Sequence, residues 1–215
     1  MAVQQIVFWR HGQTDLNLQG RIQGSSDIPL NEKGRSQAKA IAPELAKLNP
    51  NKIFVSDLGR AQETAQFLVD LIGIEPFVTP QLRERCYGVW EGQTSDEIKA
   101  QWPDEWLQWR TGNEPEGVGV ETREHCGIRV RDFVENAVNN ADDGETLVFV
   151  AHGGSIVNGI MSLLGMNPSE WAGIQGLDNC RWAVLKPRKG SNPQWRLTTY
   201  NVVNVASDEL ENVWR

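Results

Sequence analysis

Ile6-Val7-Phe8-Trp9-Arg10-His11-Gly12-Gln13-Thr14-Asp15-Leu16-Asn17 is the stretch whose reading decides the fold. Four apolar residues predict a short strand buried on both faces, and they stop at an arginine, a histidine and a glycine before any helical pattern begins. In a parallel α/β sheet that junction lies outside the carboxyl end of a strand, where ligands bind. Gly12 lets a ligand approach the backbone closely, and its own N–H is expected to donate to an anion.

Two later stretches repeat the arrangement. Ile53-Phe54-Val55 runs into Ser56-Asp57-Leu58-Gly59-Arg60, with Ser56 or Asp57 expected as the helix cap and Arg60 in the first helical turn. Thr146-Leu147-Val148-Phe149-Val150-Ala151 is a longer buried strand that ends in His152-Gly153-Gly154-Ser155. Together the three strand ends offer two imidazoles, two guanidinia and exposed backbone N–H groups, an inventory suited to a phosphate.

The chain has 215 residues, 40% of them hydrophobic and 23% charged, which are globular values. It is read as a single domain over 1–215, with no internal repeat or linker. No apolar run approaches the roughly 20 residues needed to span a bilayer, and the N-terminal residues lack a signal-peptide pattern, so a cytoplasmic protein without membrane contact is expected. Cys86, Cys126 and Cys180 are far apart and odd in number, as reduced thiols would be. A net charge of −7 argues against nucleic acid as a partner, and a cationic pocket in an acidic protein implies a small anion admitted locally.

Taken in order, the polar segment Leu18 to Leu30 is long for a connection, and Arg21 and Gln23 lie within reach of a ligand there. Helices are expected from about Asn31 to Leu48, from Arg60 to Ile72, and from Thr122 to Asn139. Pro76 to Thr79 predicts a brief strand. Thr94-Ser95-Asp96-Glu97 is a capping box opening a helix that breaks near Pro103 and resumes to Arg110. Trp102, Trp106 and Trp109 share one face of it, as a packing surface in preference to a substrate platform. Thr111 to Gly119 reads as a lid-like loop, and Asn167-Pro168-Ser169-Glu170 as another helix start. Cys180 to Lys186 and Trp195 to Tyr200 predict an antiparallel edge, and an acidic tail follows Ser207. Alternating strands and helices give right-handed βαβ crossovers and a mainly parallel sheet.

Gly153-Gly154-Ser155 does not fit a G-x-S-x-G elbow, and no G-x-x-x-x-G-K-[ST] loop is present, which leaves histidine as the nucleophile. Neither a metal nor a cofactor is needed. Arg10-His11-Gly12-Gln13-Thr14 with Asn17, Ser56 to Ala65, Leu82-Arg83-Glu84 with Gly88 and Glu91-Gly92, and His152-Gly153-Gly154 resemble the histidine phosphatase superfamily, in order over nearly the whole chain. That resemblance implies a phosphoglycerate mutase-like, three-layer α/β/α sandwich. It implies His11 as a nucleophile that becomes phosphorylated, with Arg10, Arg60 and His152 on the equatorial phosphate oxygens. Glu84 matches the proton donor, a role that calls for a raised pKa, with Glu91 and Glu121 as rivals. Asn17, Gln23 and Gly153 match phosphate-pocket or substrate-binding positions.

The implied activity is a metal-independent phosphomonoesterase acting on a small phosphate ester. The Asn179-Cys180-Arg181-Trp182 segment and the stretch from Trp195 to Val205 resemble the glucosyl-3-phosphoglycerate phosphatases within that superfamily. Two alternatives stay open: a cofactor-dependent phosphoglycerate mutase, since Arg83 to Gly88 is close to the mutase pattern, and a non-catalytic protein that binds phosphorylated ligands. Exposed tryptophans are compatible with a homodimer.

Overall fold

The computed structural model describes residues 3–171 and 173–203. Six strands form one sheet in the order β3-β2-β4-β1-β5-β6. They are β1 (Gln5–Arg10), β2 (Lys52–Ser56), β3 (Phe77–Thr79), β4 (Thr146–Ala151), β5 (Trp182–Pro187) and β6 (Trp195–Val202). The pairs β1–β4, β2–β4 and β2–β3 are parallel, and β5 joins β1 antiparallel with β6 outside it. The sheet is therefore mainly parallel with an antiparallel edge.

Period-two alternation separates the two faces. Ile6 and Phe8 of β1, with Leu147 and Phe149 of β4, point into one core, whereas Val7, Trp9, Val148 and Val150 point into the other. The first core is closed by α6 (Arg123–Asn139) and α7 (Gly153–Leu163), the second by α2 (Glu32–Ala46) and α3 (Gly59–Ile72). These are the three layers of an α/β/α sandwich. A third, smaller cluster gathers Trp90, Ile98 and Val118 with Trp102, Trp106 and Trp109 beside α4 (Ser95–Gln101) and α5 (Pro103–Arg110). The expected tryptophan face is thus mainly packing.

Local signals explain most element ends. Thr94 and Glu97 exchange the two bonds of a capping box at α4, and Pro103 opens α5. Gly73 closes α3 at φ 70°, where a side chain would be strained. Two starts differ from the sequence reading. Leu58, not Ser56 or Asp57, occupies the α3 cap, without a side-chain bond, because both predicted caps are engaged elsewhere: Ser56 with His152 and Asp57 with Arg83. Asn167 to Glu170 closes a turn and no helix, since no apolar helical period follows it. The short α1 (Asp15–Leu18) interrupts the long polar segment. The expected acidic tail after Ser207 lies outside the described residues. No helix among the described residues is long and apolar enough to cross a membrane.

Candidate active site

β1 and β4 are adjacent and parallel, with Arg10 in register with Ala151. His11 and His152 therefore leave neighbouring strand ends at the same level, and their rings stand 5.1 Å apart. Both are buried, at 2% and 0% exposure. The loop after His11 crosses the start of α2 at glycines: a Cβ on Gly12 would lie 2.5 Å from the Gly34 carbonyl, and one on Gly34 would lie 2.1 Å from that of Gln13. Only glycine at both places lets the start of α2 close over the histidine loop.

Hydrogen bonding fixes the two imidazoles. The Gly12 carbonyl, which only accepts, lies 2.7 Å from His11 Nδ1, so the proton sits on Nδ1 and the Nε2 lone pair is free. Burial, then the charges of Arg60 and Arg10, hold the His11 pKa well below 6.5 against the Gly12 bond. His11 is neutral at pH 7, a nucleophile without a proton to lose. Arg60 has no acceptor, so its Nε–H donates to His152 Nδ1 at 3.2 Å, and the other ring nitrogen of His152 donates to Ser56 Oγ at 2.8 Å. Burial, followed by Arg60 and His11, lowers the His152 pKa in the same way.

The guanidinia are placed differently. Arg60, fully buried in the first turn of α3, is clamped by the carbonyls of Ser26 at 2.6 Å and Gly24 at 2.8 Å. Arg10 donates from Nη1 to the Leu177 carbonyl, while its buried Nε finds no partner among the described residues. Burial lowers both pKa values, and Glu84 pulls the other way. Such partly unmatched buried cations favour an incoming anion.

The Glu84 carboxylate accepts from the backbone N–H groups of Arg85 at 2.7 Å, Gly154 at 3.0 Å and Ser155 at 2.8 Å. Gly154 is needed there, since its Cβ would meet Glu84 Oε1 at 2.6 Å. This corrects an expectation in part: the N–H groups of Gly154 and Ser155 are not exposed for a phosphate but hold a carboxylate. Gly12 N–H is likewise spent, on Thr64 Oγ at 3.0 Å. Glu91 takes the N–H groups of Ser25 and Tyr87. Glu121 binds Arg129, whose hydrogen bond and charge outweigh burial and hold its pKa below the usual value. Both rival carboxylates thus serve as anchors.

A cavity of 610 Å³ opens over Arg10, Glu84, Gly153 and Gly154. Gly153 lies against Arg10, whose Cζ would be 3.3 Å from an added Cβ. Of the predicted site residues, Arg10, Glu84 and Gly153 line this cavity, whereas His11, Arg60, His152, Asn17 and Gln23 do not. Asn17 shapes the Thr14 turn and accepts from Asn179, which also donates to the His11 carbonyl, and Gln23 accepts from Thr14 Oγ at 2.8 Å. The sequence reading did not single out the roles of Ser56, Thr64 and Asn179. Ser56 stood in view as a supposed helix cap. Arg21 is turned away, onto Glu97 and the Gly92 carbonyl.

Residues 6–203 match the model of the histidine phosphatase superfamily (branch 1), and the chain belongs to that family. Glucosyl-3-phosphoglycerate phosphatase of Mycobacterium tuberculosis is 36% identical over 98% of this chain and 100% of the relative. A solved structure of the mycobacterial glucosyl-3-phosphoglycerate phosphatase with VO3 superimposes with a TM-score of 0.84 at 36% identity, covering 94% of this chain and all of the other. A 2,3-bisphosphoglycerate-dependent phosphoglycerate mutase of Brucella anthropi is 34% identical, over 77% of this chain and 84% of its own.

Proposed function

We propose that the protein is a phosphomonoesterase that works through a phosphohistidine at His11. The observation that carries this is the His11 ring itself, with Nδ1–H tied to Gly12, Nε2 unprotonated and two arginines around it. In the reaction Nε2 bonds to phosphorus as the ester P–O bond breaks in line, and Glu84, having taken up a proton from solvent as the ester binds, passes it to the departing alkoxide. Water then attacks the phosphohistidine, Glu84 takes a proton from that water, and the P–N bond breaks to release phosphate and neutral His11. The orphaned Arg10 Nε–H and the spare N–H groups of Arg60 meet the charge on the transferred oxygens. His152 has both nitrogens engaged in the absence of an anion, so it joins them by taking a second proton on Nδ1 as a dianion arrives and Arg60 Nε–H turns to it.

The likeness to glucosyl-3-phosphoglycerate phosphatases over nearly the full length of both chains supports that ester as substrate. The mutase reading is weaker. It requires cations that hold a second phosphate, and here Arg85 and Arg123 share Glu114, at 2.6 and 3.4 Å. A binding protein has no use for a neutral histidine with a free Nε2 lone pair together with an oriented carboxylate at the cavity wall. Unpaired cysteines, Cys126 and Cys180 buried and Cys86 partly so, suit the reducing cytoplasm as the place of action.

The test is phosphate release in EDTA from p-nitrophenyl phosphate, 3-phosphoglycerate and glucosyl-3-phosphoglycerate, with His11→Ala as control. Release lost in the variant, and acid-labile phosphate trapped on the wild type, supports the reading. Isomerisation of 3- to 2-phosphoglycerate without release overturns it in favour of a mutase, and no turnover at all in favour of a binding protein.

A further inference from the structure

Glu84 lines two cavities, the 610 Å³ space over Arg10 and a second of 550 Å³ that it shares with Cys86, Gly119, Glu121, His125 and Arg129. A segment bordered by open space on two fronts is packed incompletely, so its place depends on polar contacts. Arg129, in α6, supplies them. Its Nη2 donates to the Glu84 carbonyl at 3.1 Å, its Nη1 to the Gln81 carbonyl at 2.9 Å, and its Nε and Nη2 to the two carboxylate oxygens of Glu121 at 2.8 and 3.0 Å. Glu121 extends the clasp to Cys86, accepting its N–H on Oε2 at 3.2 Å and donating its own N–H to the Cys86 carbonyl at 2.9 Å. The main chain is therefore gripped on both sides of Arg85. The Arg129 and Glu121 side chains are only 16% and 11% exposed. Charges buried to that depth lose hydration and add little net stability as a pair, but a forked guanidinium on a carboxylate fixes geometry.

The helix that carries Arg129 is also docked closely on the helix that holds the Glu84 carboxylate. A Cβ on Gly127 of α6 would lie 2.8 Å from the Asn158 carbonyl of α7, and one on Gly159 of α7 would lie 2.4 Å from Val130 Cγ1 of α6. One helix pair thus holds both ends of the residue, α7 its carboxylate through the N–H groups of Gly154 and Ser155, and α6 its main chain through Arg129. We propose that Arg129, oriented by Glu121, is a positioning residue for Glu84 that sets where the acid delivers its proton. Neither Arg129 nor Glu121 lines the substrate cavity, so both act through Glu84. The assignment rests on the phosphomonoesterase reading and on the acid role of Glu84 within it. A displaced acid impairs only the steps that move a proton, so the loss depends on the leaving group.

The experiment measures kcat/KM, which covers the steps through phosphohistidine formation, on p-nitrophenyl phosphate and on the better of two alkyl esters, 3-phosphoglycerate and glucosyl-3-phosphoglycerate. Urea unfolding identifies the variants that are folded under assay conditions. Arg129→Met should lower kcat/KM for the alkyl ester about 10- to 100-fold and for p-nitrophenyl phosphate less than about 3-fold. Arg129→Lys and Glu121→Gln, which keep a donor or an acceptor in place, should show the same leaving-group dependence at smaller size, and they carry the comparison if Arg129→Met does not fold. In a Glu84→Gln background, Arg129→Met should cost less than about 3-fold more on the alkyl ester, because the group it positions is already gone. Equal losses on the two esters, or losses that multiply in the double variant, overturn the positioning role alone when Glu84→Gln by itself discriminates between them. A wild type that releases phosphate from none of the esters, or a Glu84→Gln variant that loses equally on both types, overturns the acid reading and the positioning role together.

Discussion

Mild acid should weaken the folded state through its two buried histidines. His11 and His152 are buried with pKa values held well below 6.5, by burial first and then by the Arg60 charge. In the unfolded chain both imidazoles take up protons near the ordinary value, so below it the unfolded state binds more protons than the native one. Stability therefore rises with pH across this window and is lost as pH falls. Each histidine contributes a loss of about 1.4 kcal/mol between about pH 7.5 and about pH 5.5, and the pair about 2.7 kcal/mol. That corresponds to a fall in Tm of roughly 5–10 °C for a chain of this size. Glu97, Glu121 and Glu145 have pKa values below 4.5, so their contributions are lost only further down, as pH falls from there. Urea unfolding of wild type, His11→Asn, His152→Asn and the double variant at the two pH values measures the effect. Each single substitution should remove about half of the pH dependence, and inorganic phosphate should reduce it in wild type by favouring protonated His152. Superimposable wild-type curves at the two pH values, or a loss undiminished in the double variant, would refute the reasoning.

Ser56→Ala removes the acceptor of His152 Nε2–H in a fully buried place, and should cost about 1–3 kcal/mol in urea unfolding together with at least about 10-fold in kcat. Gly34→Ala places a methyl 2.1 Å from the Gln13 carbonyl, so it should destabilise by at least about 1–3 kcal/mol and depress turnover through the displaced His11 loop, as parallel unfolding and activity assays would show. Glu84→Gln should lower phosphate release from alkyl esters about 10²- to 10⁴-fold but affect p-nitrophenyl phosphate much less in its first step, since that leaving group departs without a proton. Equal losses on the two ester types would remove Glu84 from the acid role.

The strand ends were legible because each depends on residues close in sequence. An apolar run that halts at Arg10-His11-Gly12 or at His152-Gly153 can be read locally, and the capping box at Thr94 is a four-residue signal. What could not be read is how the donors at those ends are spent. Gly12 N–H goes to Thr64, 52 residues on, and the N–H groups of Gly154 and Ser155 go to Glu84, about 70 residues back. Nothing local announces such pairings. The same physics misplaced the α3 cap: Ser56 has a capping residue's chemistry, yet its hydroxyl is 2.8 Å from a histidine 96 residues away. At Asn167 the cap signal was real, and Asn167 Oδ1 does accept from Ser169 N–H, but a cap without a following apolar stripe closes only a turn.

The fate of the α7 N-terminus bears on how the proposed reaction discriminates its transition state. A helix start that cradled phosphate directly would bind substrate, transition state and product phosphate alike, and uniform binding of that kind does not raise kcat. Here the same dipole and two of its N–H groups are used on Glu84, with a third donor from Arg85, so the carboxyl is held in one orientation at the cavity wall. In the proposed reaction phosphate is left to side chains: Arg10, whose Nε–H has no partner among the described residues, the clamped Arg60 with two unspent N–H groups, and His152, which takes a second proton as negative charge arrives. Stabilisation that grows with charge on the transferred oxygens favours the transition state over the resting ester.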